Sequence, residues 1–331
     1  MKMKAILRYG ALFVAVLVAS GSSAKAENIT ILAGPVGGGW YLIGAGMAKI
    51  IHNSYPEIDV KVVPGGATAN PPRVSEGSAD FALALTAPTI MAYRGQEMFK
   101  KKYDKFGVVA FGFSKTYLQF IAKESYGFND IDSAIKSENS LRLGAPSNTT
   151  LGAWAINKLL EINGTSQEKI RKSGGSYYQV SHNQQQDLMQ NGQVDVLGTL
   201  LAIPSTDIVV VSSTSKIKFL TMSDKSMDAL AEYGFARETI EPKTYPGLLK
   251  QPLPAVSMAS GLIASNSVKA DLVYKVTKAL YSHAAEVAKI HPSMSDFMPA
   301  DVAKPSMRGH GALPIHPGAA KYFDEAGIAY K

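Results

Sequence analysis

Cysteine is absent from all 331 residues. That excludes a disulfide scaffold, a thiolate zinc or iron–sulfur site, a cysteine nucleophile and a cysteine-linked lipid anchor. Long apolar runs are missing as well. A membrane-spanning helix needs about 18 or more consecutive apolar residues, and the longest candidate, Val194 to Val211, is broken by Asp195, Pro204 and Asp207. There is no repeat of fixed period and no low-complexity tract. What is present, 46% hydrophobic and 18% charged residues, suits folded domains and not a disordered chain. The length allows one large domain or two of ordinary size.

The net charge of +7 raises the question of nucleic acid or anionic lipid, and its position answers it. Lys2, Lys4, Arg8 and Lys25 lie in residues 1–26, which contain no acid. The apolar run Ala11–Ala19 follows the first three, and Ala24-Lys25-Ala26 closes the segment. A basic start, a short apolar stretch and an A-x-A ending define a secretory signal peptide. An apolar helix this short, at ~1.5 Å rise per residue, does not cross a ~30 Å hydrocarbon core. Cleavage is expected after Ala26, leaving Glu27 first and 30 basic against 27 acidic residues, net +3. The expectation is a periplasmic, soluble protein with no lipid tether and no nucleic-acid partner.

Along the remaining chain, strand-like and helix-like patterns alternate. Strands are expected at Ile29–Ala33, Asp59–Val63, Phe81–Leu85, Val108–Phe113, Leu118–Ala122, Leu141–Gly144, Val194–Thr199 and Ile217–Thr221. Helices are expected from Trp40 or Tyr41, and at Leu151–Ile162, Asn183–Asn191, Met227–Tyr233, Leu272–Ala288 and Ala319–Ala326. Such alternation implies an α/β architecture with largely parallel sheets. Several strands run into small polar residues or glycine and then into a helix: Gly37-Gly38-Gly39, Thr68-Ala69-Asn70, Thr86-Ala87 and Ser147-Asn148-Thr149-Thr150. Asn70 reads as a cap before Pro71-Pro72. Each junction leaves helix N–H groups unpaired at a positive helix end, an arrangement suited to a carboxylate. Helices in α/β proteins ordinarily start this way, so a single junction is structural; the triple glycine before Trp40 and Tyr41 is harder to explain by folding alone.

Enzyme signatures are lacking. No G-x-S-x-G elbow and no Walker lysine is present. His52, His182, His283, His291, His310 and His316 show no H-E-x-x-H pairing, so no metal or other cofactor is expected; His310 and His316 read as part of a turn. Asp224, Asp228 and Glu232 have the spacing of a solvated helix face. Tyr177-Tyr178 beside Ser181-His182 fits either a cleft rim or ordinary packing.

The motif order extends over nearly the whole chain after residue 26. It runs Gly37-Gly-Gly-Trp-Tyr41-Leu-Ile-Gly44, Gly65-Gly-Ala-Thr-Ala-Asn70, Glu76-Gly-Ser-Ala-Asp80-Phe-Ala-Leu-Ala-Leu85 and Leu141-Arg-Leu-Gly-Ala-Pro-Ser-Asn-Thr-Thr150. Asn191-Gly-Gln-Val-Asp195, Thr244-Tyr-Pro-Gly247, Leu272–Leu280 and Pro314-Ile-His-Pro-Gly-Ala319 follow. In this order the sequence resembles the TAXI-type solute-binding proteins of TRAP transporters. The resemblance implies a type II periplasmic-binding-protein fold, with two α/β lobes joined by a two-strand hinge around a ligand cleft. Residues 27–118 and 256–331 would form lobe one, and 119–255 lobe two.

It further implies a non-enzymatic receptor that captures a glutamate-like or dicarboxylate anion and delivers it to an ion-gradient-driven permease; a monomer is expected, and presentation of the ligand to a membrane sensor kinase is a separate reading. By matching position, the ligand contacts would be Gly38, Gly39, Trp40, Tyr41, Thr68, Asn70 and Thr86 from lobe one. Ser147, Asn148, Thr149, Thr150 and Ala202 would come from lobe two. The loops depart from the family pattern. Gly66-Ala67-Thr68-Ala69-Asn70 replaces Gly-Ser-Val-Glu-Asn, Thr86-Ala87-Pro88 replaces Gln-Ser-Asp, Pro146-Ser147-Asn148-Thr149 replaces Gly-Ser-Gly-Thr, and Trp40 stands where many members have a smaller residue. The architecture therefore transfers more directly than the ligand. The rival readings are an ABC-type organic-anion receptor and an exported hydrolase or lyase on a similar fold.

Overall fold

The computed structural model describes residues 27–295, 297, 299, 304, 308 and 312–330, so the segment read as a signal peptide and His310 lie outside the described residues. The chain begins with β1 (Glu27–Leu32), α1 (Gly39–Ser54), β2 (Ile58–Val63), α2 (Asn70–Ser75), β3 (Phe81–Leu85) and α3 (Thr86–Arg94). Strand β1 pairs in parallel with both β2 and β3. Period-two alternation sends Ile29, Ile31, Phe81 and Leu83 to one face of this sheet, and Leu32, Ala82 and Ala84 to the other. The first face is covered by α1 through Ile43, Met47, Ile50 and Ile51, which fall at helical spacing.

Next comes β4 (Phe106–Lys123), a single strand where two were expected. The next elements are α4 (Ile131–Lys136), β5 (Arg142–Pro146), α5 (Leu151–Ile162), α6 (Gln167–Lys172) and β6 (Ser176–Val180). They lead into α7 (His182–Gln190), β7 (Val196–Leu201), α8 (Thr206–Thr214), β8 (Ile217–Phe219), α9 (Asp224–Ala231) and β9 (Ala236–Ile240). Strand β5 is parallel to β6 and β7, making a second parallel group. The chain closes with β10 (Leu253–Ser265), α10 (Ala270–Ser282), α11 (Ala284–Val287) and α12 (Pro317–Ala326). The expected helix Leu272–Ala288 is broken at His283, the C-cap of α10.

The strand order β2-β1-β3-β10-β4-β7-β5-β6, with β8 on β4 and β9 on β10, puts β4 and β10 between the two parallel groups. These two long strands are antiparallel to each other and belong to both halves. Their register runs evenly from Val256↔Leu118 to Ala259↔Lys115, then resumes at Gly261↔Phe111. Gly112, Phe113 and Ser114 of β4 thus stand against Ser260 alone, a bulge that bends and twists the ribbon. Gly112 takes φ +99°, in the left-handed region. A Cβ on Gly261 would lie 2.1 Å from the Ala110 carbonyl oxygen, so only glycine fits. Ser114 N–H donates to Ser260 Oγ at 3.0 Å, stitching the bulge across the ribbon.

Around the second parallel group the sheet has a core on each face. Leu118, Phe120, Ala122, Leu143 and Val196 pack with α5 and α9, while Tyr117, Ile121 and Leu197 pack with Ile208 and Val211 of α8. Helix α3 follows a strand of the first group, yet its Ala87, Met91 and Ala92, with Phe99 beyond it, join the α5–α9 core. Lys158 of α5 is ion-paired with Glu97 at 3.0 Å and Glu161 at 2.7 Å. Burial pushes the Lys158 ammonium down, but hydrogen bonds to Glu161 and Glu97 outweigh it and hold the pKa above the ordinary lysine value.

Candidate functional site

The first loop leaves β1 through Gly34. A Cβ there would meet the Trp40 Cβ at 2.9 Å, so the glycine makes room for the indole. Gly37 takes φ +82°, and Gly38 is the N-cap of α1. No side chain caps this helix and its first turn carries no acid. The amides at Gly39 and Trp40 therefore begin a sixteen-residue helix at its positive end. Trp40 and Tyr41 are half-buried and pack against the core that α1 covers. A Cβ on Gly39 would lie 3.0 Å from His291 Nε2. His291 Nδ1 accepts from Ser293 N–H at 3.2 Å, so the proton of the neutral ring lies on Nε2, the nitrogen beside Gly39. Sequence reading missed this histidine as a neighbour of the loop. It lies some 250 residues away along the chain, with no motif around it.

Asn70 is fully buried, and its amide is engaged by the backbone of the first two loops and of strand β3. Nδ2 donates to the carbonyls of Ala33 at 3.0 Å and Leu83 at 2.7 Å, and Oδ1 accepts from Gly66 N–H at 2.9 Å. The expected helix cap is not there; Ala69 is the N-cap of the six-residue α2, without a side-chain bond. Asn70 instead ties the loops that follow β1 and β2 to the middle of β3. Gly65 is pressed against it, since a Cβ would lie 2.1 Å from Asn70 Oδ1. Thr86 is also buried, its hydroxyl accepting from Ala259 N–H of β10 at 3.3 Å, and Leu85 holds the N-cap position of α3. Thr68 is exposed on the second loop.

Around α5, Thr150 is the N-cap. Its hydroxyl accepts from Ala153 N–H at 3.1 Å and donates to the Ser147 carbonyl at 2.8 Å. The Ser147–Thr150 turn is thereby closed, with Ser147 half-buried and Asn148 and Thr149 exposed. Neither Asn148 nor Thr149 has a side-chain hydrogen-bond partner among the described residues. Ala202 is half-buried just after β7.

Register shows where these loops converge. Leu85, the last residue of β3, pairs with Ser260; Leu201, the last of β7, pairs with Tyr117. Both strands therefore run their carboxyl ends up to the bulge at Gly112–Ser114, from opposite sides. In open α/β sheets ligands settle beyond such carboxyl ends. Thr86 and Ala202 flank the crossing, and Asn70 links the first two loops to β3.

The remaining candidates have structural roles. Tyr177 is buried and donates to Asn157 Oδ1 at 2.8 Å, whereas Tyr178 is exposed. His182 Nδ1 lies 3.1 Å from Asp207 Oδ2. His316 is the N-cap of α12, its Nδ1 accepting from Gly318 N–H at 3.2 Å, and burial lowers its pKa. Asp224 and Asp228 pair with Arg237 on an exposed face. Among the described residues no group of three or more His, Cys, Asp and Glu side chains is placed to hold a metal ion. Nor is any helix long and apolar enough to cross a membrane.

Several solved structures resemble this chain over most of its length. A TctC solute-binding protein from Polaromonas, solved without ligand, superposes with a TM-score of 0.53 at 15% identity, over 92% of this chain and 99% of that one. PhnD1 from Prochlorococcus marinus, in complex with methylphosphonate, gives 0.49 at 12% identity over 82% of this chain and 90% of that one. MatC from Rhodopseudomonas palustris, with bound malate, gives 0.47 at 16% identity over 90% and 98%. The fold is the mixed α/β type II periplasmic-binding-protein fold. The profile of the NMT1-like family matches residues 31–327, from within β1 to just past α12. The chain belongs to the NMT1-like family.

Proposed function

We propose that this chain is a periplasmic solute receptor. It captures a small organic anion, glutamate-like or dicarboxylate, by closing residues 27–118 with 256–331 against residues 119–255. The observation that carries the reading is the convergence of strand carboxyl ends from both halves on the β4–β10 crossing, with the uncapped start of α1 among the loops there. Two helix starts, at Gly38–Tyr41 and at Ser147–Thr150, would supply backbone N–H groups to the acidic groups of the solute. Thr68 and Ala202 would line the cleft, and Asn70 and Thr86 would hold the loops in place from beneath. Ligand shifts the open–closed equilibrium only by binding the closed form better, and a bulge with glycines at 112 and 261 is a suitable place for that bend.

Delivery to a TRAP-type permease driven by an ion gradient is supported by the TAXI-type motif order. Mass spectrometry of the solute that co-purifies with protein expressed in a periplasm tests the receptor reading, backed by a thermal-shift screen of organic acids. The expected result is one bound acid that raises the melting temperature by mass action. A cation, a sugar, or catalytic consumption of the solute would refute it.

A further inference from the structure

The Thr244-Tyr245-Pro246-Gly247 motif has no part in the loops described above, and its tyrosine is buried at 2% exposure. Its ring packs on Phe219 with centroids 5.0 Å apart, and it shares a core with Ile208 and Val211 of α8. The Tyr245 hydroxyl accepts from Ser205 N–H at 2.8 Å and donates to Gln119 Oε1 at 2.6 Å. All three residues are buried, at 2% for Ser205 and 1% for Gln119. Ser205 is the N-cap of α8, its hydroxyl turned towards Ile208 N–H at 3.5 Å, so its own amide depends on the tyrosine. Gln119 lies on β4 directly opposite Thr199 of β7 and two residues from Tyr117, the partner of Leu201. The chain Gln119–Tyr245–Ser205 thus ties the segment Ala202–Ser205 to a strand of the crossing. Burial pushes the Tyr245 hydroxyl up to about 12, so it remains a donor throughout the physiological range.

We propose that Tyr245 is a positioning residue of the solute site: through Ser205 N–H it fixes the Ala202–Ser205 segment against β4 and sets how that wall of the cleft meets the solute. The proposal rests on the receptor reading for its functional part. Apolar packing alone would be served equally well by phenylalanine. The hydroxyl is present because a buried amide and a buried amide oxygen both need a partner there.

The test uses the full protein and two readouts. In ligand-free Tyr245→Phe, amide exchange followed by NMR should be at least tenfold faster at Ser205, with the amides of β5 unchanged. The dissociation constant for whichever of L-glutamate and L-malate binds the wild type should rise at least fivefold. The double variant Tyr245→Phe/Gln119→Leu removes the orphaned glutamine, so it should regain most of the lost melting temperature but neither the Ser205 protection nor the affinity. A merely structural role predicts that affinity returns together with the melting temperature, and that result would overturn the proposal. Unchanged Ser205 protection in Tyr245→Phe would overturn it too. If neither acid binds the wild type, the glutamate-like or dicarboxylate reading is what fails, while Ser205 exchange still decides whether Tyr245 fixes this wall.

Discussion

Single side chains carry much of the connection between loops here, and Asn70 shows how. Removing its amide leaves the Ala33 and Leu83 carbonyls and the Gly66 N–H without partners in a buried setting. Each orphaned buried group costs about 1–3 kcal/mol, less what water recovers, so Asn70→Ala should destabilise by roughly 2–4 kcal/mol in urea titrations. Asp132 makes a similar junction. It accepts from Ser223 N–H at 2.7 Å and Asn163 Nδ2 at 3.0 Å, and from the Ser226 hydroxyl, joining α4 to α5 and α9. Burial pushes the Asp132 carboxyl up, but those hydrogen bonds outweigh it and leave the pKa below the usual aspartate value. A carboxylate whose folded pKa is depressed stabilises fully above its unfolded value near pH ~4, and this contribution fades as the pH falls through the folded value. The stability gap between wild type and Asp132→Asn should therefore narrow from pH 6 towards pH 3, as followed by chemical denaturation; a gap that widens on acidification would contradict this assignment. At this scale Asn70 read as a helix cap and a ligand contact and not as a fastening, because two of its three partners lie 13 and 37 residues away. The contacts of His291 and Tyr245 were hidden for the same reason: distance along the chain conceals a contact that only folding creates.

Elements with strong helical spacing and clear caps were legible, and those shaped by tertiary context were not. Helix α5 runs over Leu151–Ile162 as its sequence implies, because Thr150 caps it and its apolar face is continuous. Helix α8 was missed, since Val209–Val211 favour strands; its Ser205 cap and the burial of Ile208 and Val211 override that preference. Strand β4 read as two pieces, because Gly112 and the polar run Ser114–Thr116 interrupt the apolar pattern where the ribbon bulges. Strand β10 escaped notice because Ser257, Ala259, Ser260 and Gly261 give no β-branched signal, although the strand lies between β3 and β4 and is buried on both faces. Its small residues are needed where two backbones cross closely. Gly261→Ala forces a methyl group to within 2.1 Å of the Ala110 oxygen unless the ribbon shifts. The expected outcome is a loss of at least about 2 kcal/mol in stability, read by thermal or urea unfolding. A neutral Gly261→Ala would show that the crossing is looser than its register indicates.

For the whole molecule, the alternation of strands and helices made the α/β class legible and the family resemblance implied the type II fold, while the packing across the β4–β10 crossing was not legible. Helix α3 follows a strand of the first parallel group but packs in the α5–α9 core, and Glu97, with φ +56°, reaches Lys158 beyond it. No local pattern announces such a crossing contact, because the packing partners lie on separate elements. The strands nevertheless converge on the β4–β10 crossing, and the proposed receptor function rests on that convergence. Isothermal titration calorimetry of solute-free protein with L-glutamate, L-malate, succinate and 2-oxoglutarate tests this most directly, run beside Gly38→Val, which crowds the uncapped start of α1. The account predicts saturable one-to-one binding of at least one of these acids, with no product formed, and a dissociation constant at least tenfold higher for Gly38→Val. Heat from none of them, or equal affinity in wild type and Gly38→Val, would contradict it.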